Sequence, residues 1–147
     1  MKTKNNKNNK NKTLKSKNKN NYLYSHILTL CLEILNTTKL YHWKTKKYAE
    51  HKATDDLYSE LNDKIDTFVE VLIGKNGNRI NINKHSIKLN DFNDSASFKK
   101  YIEKAKKYLI GMTNNKNMNT QENSDLLNIR DEILGILNKF TYLLTFK

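Results

Sequence analysis

The sequence of 147 residues contains no proline, four glycines and one cysteine. Proline and glycine mark the turns of collagen-like and turn-rich all-β proteins, so their scarcity argues against both classes. The single cysteine, Cys31, can form neither a disulfide framework nor a cysteine zinc site, which favours a reducing compartment. No uncharged apolar run reaches about 18 residues, so we expect no segment that spans a membrane.

Acidic residues are absent from the N-terminal end. Residues 1–20 contain eight lysines and no Asp or Glu, and the whole chain has a formal net charge of +12. The remaining residues contain 19 basic and 15 acidic side chains, so their net charge is only +4. The apolar stretch that follows this basic leader is interrupted by His26 and Glu33, and no small-residue cleavage site comes after it. We therefore expect a protein that is not secreted.

Residues 1–21 consist almost entirely of Lys, Asn, Thr and Ser. Such a segment buries too little apolar surface to offset its chain entropy, so it is predicted to be a disordered basic tail. One interpretation is a solvated tail that only aids solubility. The other is an arm that binds duplex DNA without sequence preference, because lysines that neutralise phosphates release counterions. The candidate DNA-binding residues are Lys2, Lys4, Lys7, Lys10, Lys12, Lys15, Lys17 and Lys19.

Residues 22–147 repeat apolar side chains at intervals of three and four, the period of an α-helix. The predicted helices cover Tyr22–Lys47, about Ala49–Ile73, a segment from near Ser97, and a segment from Asn123–Ser124 to the end. A polar linker over residues 78–93 separates the second helix from the third. This order predicts an all-α protein, an antiparallel four-helix bundle with a long crossover between helices 2 and 3, which is the ferritin-like connectivity.

A polar face of metal-ligand residue types follows the second predicted helix. Asp66 and Glu70 are four residues apart, so both carboxylates project from one side of the helix. His51 and Asp55 lie on nearly the same side, and His42 precedes them at the end of the first helix. Histidine nitrogen and carboxylate oxygen form a normal ligand set for iron or another transition metal. A row of acids is equally typical of a solvated helix face, so spacing alone leaves both interpretations open.

The Glu-x-x-His motif of di-iron bundles is absent from the sequence. The residues three positions before the four histidines are Leu23, Lys39, Tyr48 and Ile82. A metal site inside one bundle is therefore not expected, and any site would combine residues across an interface between subunits. The candidate metal ligands are His42, His51, Asp55, Asp66 and Glu70.

The order of these residues resembles the iron-binding segment of the Dps miniferritins, which are starvation-induced DNA-binding proteins. In that family a His-Trp pair ends the first helix and a second His opens the next. An acid follows one turn later, and an Asp-x-x-x-Glu pair lies further along. The matching positions here are His42-Trp43, His51, Asp55, Asp66 and Glu70. The end of the chain is also similar, in Asp125-Leu126-Leu127 and in Lys139 with Tyr142-Leu143-Leu144.

The resemblance implies a homo-oligomer, a hollow dodecameric shell that oxidises Fe(II), preferably with hydrogen peroxide, and stores ferric mineral. It also implies a di-iron site between subunits, in which Asp66 and Glu70 bind the first iron with His42 of the partner subunit. His51 and Asp55 would support the second iron. Lysine-rich termini bind DNA in many members, which implies a cytoplasmic, DNA-associated protein that protects DNA from iron and peroxide.

The chain departs from the family pattern in four places. The loop between His42 and His51 is shorter by about one helical turn, and the first helix ends in a different, glycine-free turn. Asn138 stands where an acid is common, and the third predicted helix is short. These departures motivate an alternative, a catalytically silent DNA-binding or packaging shell protein with the same fold. A monomeric or dimeric bundle with an unrelated binding role is a third interpretation.

Overall fold

A computed structural model of the chain describes the backbone of residues 4–83 and 85–146, and the side chains of residues 21–83 and 85–146. Within these residues the protein is all-helical, with four α-helices and no strand, which confirms the predicted all-α class. The helices are α1 (Lys4–Lys44), α2 (Tyr48–Asn76), α3 (Ser95–Gly111) and α4 (Ser124–Leu143). Two short 3-10 helices, Met112–Asn114 and Gln121–Asn123, lie between α3 and α4.

Helix α1 begins much earlier than the apolar pattern predicted. The predicted start was Tyr22, after a disordered tail, whereas the backbone is helical from Lys4. Residues 4–21 contain no proline or glycine, and lysine is a good helix former, so the helix extends toward the N-terminus without a stop signal. The backbone therefore has no helix boundary at residue 21, while residues 1–3 lie outside the described part of the chain.

Helices α1 and α2 form a hairpin across the three-residue connection 45–47, which contains no glycine. At the other end of α2, Gly77 has a φ of 69°, the left-handed conformation that ends a helix, and its N–H donates to the Ile73 carbonyl at 3.0 Å. Helix α2 continues through Gly74, so it ends three residues later than the predicted Ile73.

Residues 77–94 carry the chain back along α1 to the end where α2 began. This segment runs parallel to α1, because later residues of the segment contact later residues of the helix. His85 lies 2.9 Å from Ser25, Lys88 lies 2.8 Å from Glu33, and Asp91 lies 2.6 Å from Lys44. Because α3 then starts beside the end of α1, it runs antiparallel to α1 and parallel to α2.

One hydrophobic core is shared by all four helices. Helix α1 contacts α2 and α3, and α4 contacts α2 and α3, so α2 and α3 lie at opposite corners. Phe98 of α3 occupies the centre, stacked on Tyr41 of α1 with ring centroids 4.1 Å apart and edge-on to Phe140 of α4 at 5.7 Å. The predicted apolar stripe of α2 is buried in this core; its residues are Leu57, Leu61, Ile65, Phe68 and Leu72.

The C-terminal end of α3 is stabilised by a buried arginine from α4. Arg130 is only 6% exposed, and its Nη1 donates to the carbonyl of Leu109 at 2.9 Å and to the hydroxyl of Thr113 at 2.8 Å. The Leu109 carbonyl also accepts from the backbone N–H of Met112, so Arg130 supplies a second donor at a helix end where the dipole favours a cation. The end of α3 is therefore stabilised by Arg130, whereas the end of α2 is formed by a left-handed glycine.

Candidate metal centre at the turn between α1 and α2

The two histidines that were predicted as ligands lie together at the turn between α1 and α2. His42 is in the last turn of α1 and His51 is in the first turn of α2. Their rings stack with centroids 4.1 Å apart and planes 25° apart. The short connection of residues 45–47 thus brings the two imidazoles into contact.

Reciprocal hydrogen bonds orient both imidazole rings. Nδ1 of His42 lies 3.2 Å from the carbonyl oxygen of His51, and Nδ1 of His51 lies 3.2 Å from the carbonyl oxygen of His42. A carbonyl oxygen can only accept, so we assign the proton of each neutral ring to Nδ1 and a free lone pair to Nε2. A backbone carbonyl commonly fixes the ring of a metal-ligating histidine in this way.

Thr54 contacts the ring of His42, and this contact was not predicted from the sequence. Its side chain is fully buried, and its hydroxyl donates to the carbonyl of Glu50 at 2.8 Å. The same hydroxyl oxygen lies 3.2 Å from Nδ1 of His42. The only signal for this role in the sequence is a threonine three residues after His51, on the side of α2 that faces α1.

Asp55 brings a carboxylate to the histidine pair. Its Oδ1 lies 3.8 Å from Nε2 of His42, and the side chain is 51% exposed, whereas that of His42 is only 8% exposed. Within the described residues, no group of three or more His, Cys, Asp and Glu side chains could hold a metal ion by itself. The turn therefore presents two oriented imidazole nitrogens beside one carboxylate, and further ligands would have to come from elsewhere.

Asp66 and Glu70 are exposed on α2, away from the histidines. They follow Asp55 by 11 and 15 residues, which corresponds to about 16 and 22 Å along the helix axis. Neither carboxylate takes part in the ion pairs that α2 forms in the described part of the chain. One subunit does not bring them to the histidines, so a site that joins the two groups remains a prediction about an interface.

The outer face shared by α1 and α2, next to the histidines, is rich in apolar side chains. Trp43 is 67% exposed, and the ammonium group of Lys39 lies 5.9 Å from its ring centroid and 4.6 Å from that of Tyr58. We call this surface the α1–α2 face. It comprises Leu28, Leu32, Leu35, Lys39 and Trp43 of α1 with Asp55, Tyr58, Asp66, Val69 and Ile73 of α2.

Glu50 links the two helices at the same turn. Its carboxylate accepts hydrogen bonds from the hydroxyls of Tyr41 at 2.9 Å and Thr45 at 3.0 Å, and Lys47 lies 3.3 Å away. Burial alone would raise the pKa of Glu50, but these three donors favour the charged form and hold the pKa below its ordinary value. Burial, followed by the hydrogen bond to Glu50, raises the pKa of Tyr41 to about 12. The turn that carries the histidines is therefore stabilised by hydrogen bonds to a carboxylate that is charged at neutral pH.

The candidate DNA-binding lysines lie outside this centre. Those from Lys4 to Lys19 are on the helical backbone of α1, where their side chains are outside the described part of the structure, and Lys2 lies outside it altogether. None of the helices in the described ranges combines the length and apolar character needed to span a membrane.

These features define an all-helical protein with a histidine pair at its first helix turn. A family model described as a family of unknown function, DUF5856, matches residues 42–144, from His42 to the end of α4, and the chain belongs to this family. The chain is also 50% identical over 38 residues to an uncharacterized 14.6 kDa protein in the mobD-ri intergenic region of Enterobacteria phage T4. That match covers 26% of this chain and 30% of the phage protein, so it spans less than a third of the relative. No solved structure matches the chain.

Proposed function

We propose that this protein is a Dps-like miniferritin: a ferritin-like bundle that assembles into an oligomeric shell, oxidises and stores iron, and binds DNA through its basic N-terminal segment. The observation that carries the proposal is the stacked pair of His42 and His51. Each ring donates from Nδ1 to the other residue's carbonyl, which leaves both Nε2 atoms free for iron.

The helix directions support a ferritin-like bundle. Helices α1 and α2 form a hairpin, residues 77–94 cross over along α1, and α3 and α4 complete a shared core. A long crossover between the second and third helices is the feature that separates this connectivity from a simple up-down bundle.

An antiparallel pair of subunits would complete the metal centre. If two α1–α2 faces pack about a two-fold axis, the histidine end of one subunit lies beside the Asp66 and Glu70 end of the other. Exposed Lys44, Lys46 and Lys47 stand near the histidine end, so their charge complements those carboxylates. Burying Trp43 and its apolar neighbours would supply the driving force for this contact.

Iron is the substrate of the proposed reaction. Asp66 and Glu70, with His42 of the partner subunit, would bind one Fe(II), and His51 with Asp55 would support a second. Each Fe(II) loses one electron, and hydrogen peroxide takes up both electrons as its O–O bond breaks to give two hydroxide ions. The Fe(III) then passes to a mineral core, so Fe(II) and peroxide are removed together before they generate hydroxyl radical.

The basic segment supports DNA binding. Seven lysines between Lys4 and Lys19 lie on a helical backbone that extends α1 beyond the core of the protein. Such a density of positive charge favours phosphate contacts that do not depend on sequence and that weaken steeply as salt increases.

The first test is iron oxidation by the double variant Asp66→Ala and Glu70→Ala. Protein loaded anaerobically with Fe(II) is pulsed with peroxide and followed by ferric absorbance, after its size is measured in the same buffer. We expect the wild-type protein to oxidise iron as a large particle and the variant to lose at least about ten-fold in rate, as is typical when metal ligands or their supports are removed.

The matched control is Glu122→Ala with Glu132→Ala, two exposed acids that lie outside α2. It removes the same charge and should oxidise iron at the wild-type rate. Undiminished oxidation in the Asp66→Ala and Glu70→Ala variant would contradict the proposed site.

A catalytically silent DNA-binding shell protein is the second candidate. It is favoured by the lack, among the described side chains, of three grouped metal ligands within one subunit. Under this alternative, wild-type protein oxidises no more iron than buffer does, while replacement of the N-terminal lysines by glutamine strongly weakens DNA binding.

A further inference from the structure

The outer side of α3 carries a row of exposed lysines. Lys100, Lys104 and Lys107 are separated by four and three residues, so they lie on one side of the helix. None of them joins an ion pair in the described part of the chain, and the one acid of α3, Glu103, pairs with Lys106 at 2.8 Å. We call these three residues the α3 lysine row.

The core fixes the direction of this row. The opposite side of α3 is formed by Phe98, Ile102, Ala105 and Leu109, all of which are buried. The helix cannot rotate without exposing these residues, so the three lysines are held outward on a rigid support. The row also belongs to the folded core of the protein, separate in sequence from residues 1–20.

We propose that the α3 lysine row binds the phosphate backbone of duplex nucleic acid, as a second contact independent of the N-terminal segment. The row spans about 10 Å along the helix axis. A duplex strand carries one phosphate per about 3.4 Å of its axis, so a row of this length matches about three phosphates. Lysines that contact phosphates fix the position of a duplex but read no bases, so the binding is independent of sequence.

The remaining surface of α3 favours a duplex over a membrane or a single strand. A helix that lies on a membrane needs an exposed apolar face, whereas that face of α3 is buried and its one large exposed apolar residue, Ile110, lies to one side. Single strands are bound by stacking on exposed aromatic rings. The aromatic residues Tyr101 and Tyr108 of α3 are partly buried on the side that faces α1.

The test compares two triple variants of the full chain. The first is Lys100→Gln, Lys104→Gln and Lys107→Gln. The control is Lys88→Gln, Lys116→Gln and Lys139→Gln, which removes the same charge from exposed lysines outside α3 and away from the turn between α1 and α2. Glutamine is as good a helix former as lysine, so both variants should fold. Binding to a mixed-sequence duplex of about 25 base pairs is measured by fluorescence anisotropy between about 50 and 200 mM salt.

We expect the α3 variant to weaken duplex binding by about ten-fold or more at low salt. Its slope of log affinity against log salt should fall by up to about 2.7, because each lost phosphate contact contributes about 0.9. The control should change affinity by less than about three-fold.

Three outcomes would overturn the proposal. The first is an equal loss of duplex affinity in both variants, and the second is no loss of duplex affinity in the α3 variant. The third is an α3 variant that binds the duplex normally but binds vesicles containing phosphatidylserine more weakly than wild-type protein does, in a parallel measurement. Because the N-terminal lysines and the iron ligands are intact in both variants, none of these outcomes bears on the proposed iron chemistry or on the N-terminal segment.

Discussion

Helix α2 carries seven acidic and three basic residues, a net charge of −4, whereas α3 carries five lysines and one glutamate, a net charge of +4. Their inner sides are nevertheless alike. Phe68 and Leu61 of α2 and Phe98 and Ile102 of α3 are all buried in one core. The two helices share a folding role, so the difference between them lies in the side chains that packing leaves free.

The position of the two helices gives this difference a functional meaning. Because α2 and α3 occupy opposite corners of the core, their outer surfaces point away from each other. The acidic surface suits cations such as Fe(II), and the basic surface suits phosphates. Under the proposed function, one subunit would bind both kinds of partner on separate surfaces.

The two helices also end differently, at Gly77 in α2 and beside Arg130 in α3. The largest expected effect is a loss of stability when Arg130 is replaced. We expect Arg130→Met to lower the free energy of unfolding by about 2–4 kcal/mol, because the substitution removes the hydrogen bonds of the buried guanidinium to the Leu109 carbonyl and the Thr113 hydroxyl. Urea denaturation followed by circular dichroism measures the change. The control is Lys139→Met, also on α4, which removes only a surface pair with Glu60 and should cost less than about 1 kcal/mol. Equal losses would show that α3 does not depend on Arg130.

The end of α2 is tested by two glycines that lie three residues apart. Gly77 is in the left-handed conformation and Gly74 is not, and an added Cβ would meet nothing within 4 Å at either position. We expect Gly77→Ala to cost about 1–2 kcal/mol, the penalty of left-handed backbone. Gly74→Ala should instead stabilise the protein by about 0.5–1 kcal/mol, because alanine is the better residue inside a helix. Thermal unfolding of the two variants checks the signs, and a shift in the same direction would contradict this reading of the backbone.

The apolar periodicity predicted the inner sides of the helices well, since burial depends on regular spacing. The stripe from Leu57 to Leu72 is buried in full, and Gly77 ends α2 in the left-handed conformation that glycine allows. The predicted start of α1 at Tyr22 rested on the lack of apolar residues before it, whereas the backbone is helical from Lys4. The backbone of a segment without helix breakers can continue an existing helix at little further entropic cost.

The candidate site could be predicted only in part. The sequence identified His42, His51 and Asp55 as neighbours, because residues at a helix turn are close along the chain. It could not identify Thr54, whose contact with His42 depends on how α1 and α2 face each other. Nor could it identify Arg130, since a charged residue in an apolar helix pattern gives no sign that a distant carbonyl will receive it.

The smallest expected effect concerns the pH dependence of stability, which should differ between α2 and α3. The turn that begins α2 depends on Glu50, whose pKa is lowered, so that contribution is lost only as the pH falls below the ordinary range for a carboxyl group. In α3, burial raises the pKa of Tyr108 to about 12. The folded state therefore favours the neutral hydroxyl, and stability falls as pH rises from about 10, the ordinary tyrosine value, toward 12.

Replacing Tyr108 with phenylalanine removes the ionisable group and keeps the ring, which lies 5.4 Å from the ring of His26. We expect Tyr108→Phe to retain more of its neutral-pH stability at about pH 11 than wild-type protein does, as judged by urea denaturation at both pH values. Tyr142→Phe, at a position that is 62% exposed, should show the wild-type loss. If the Tyr108→Phe and wild-type proteins lose stability in parallel as the pH rises, the alkaline sensitivity does not originate at this face of α3.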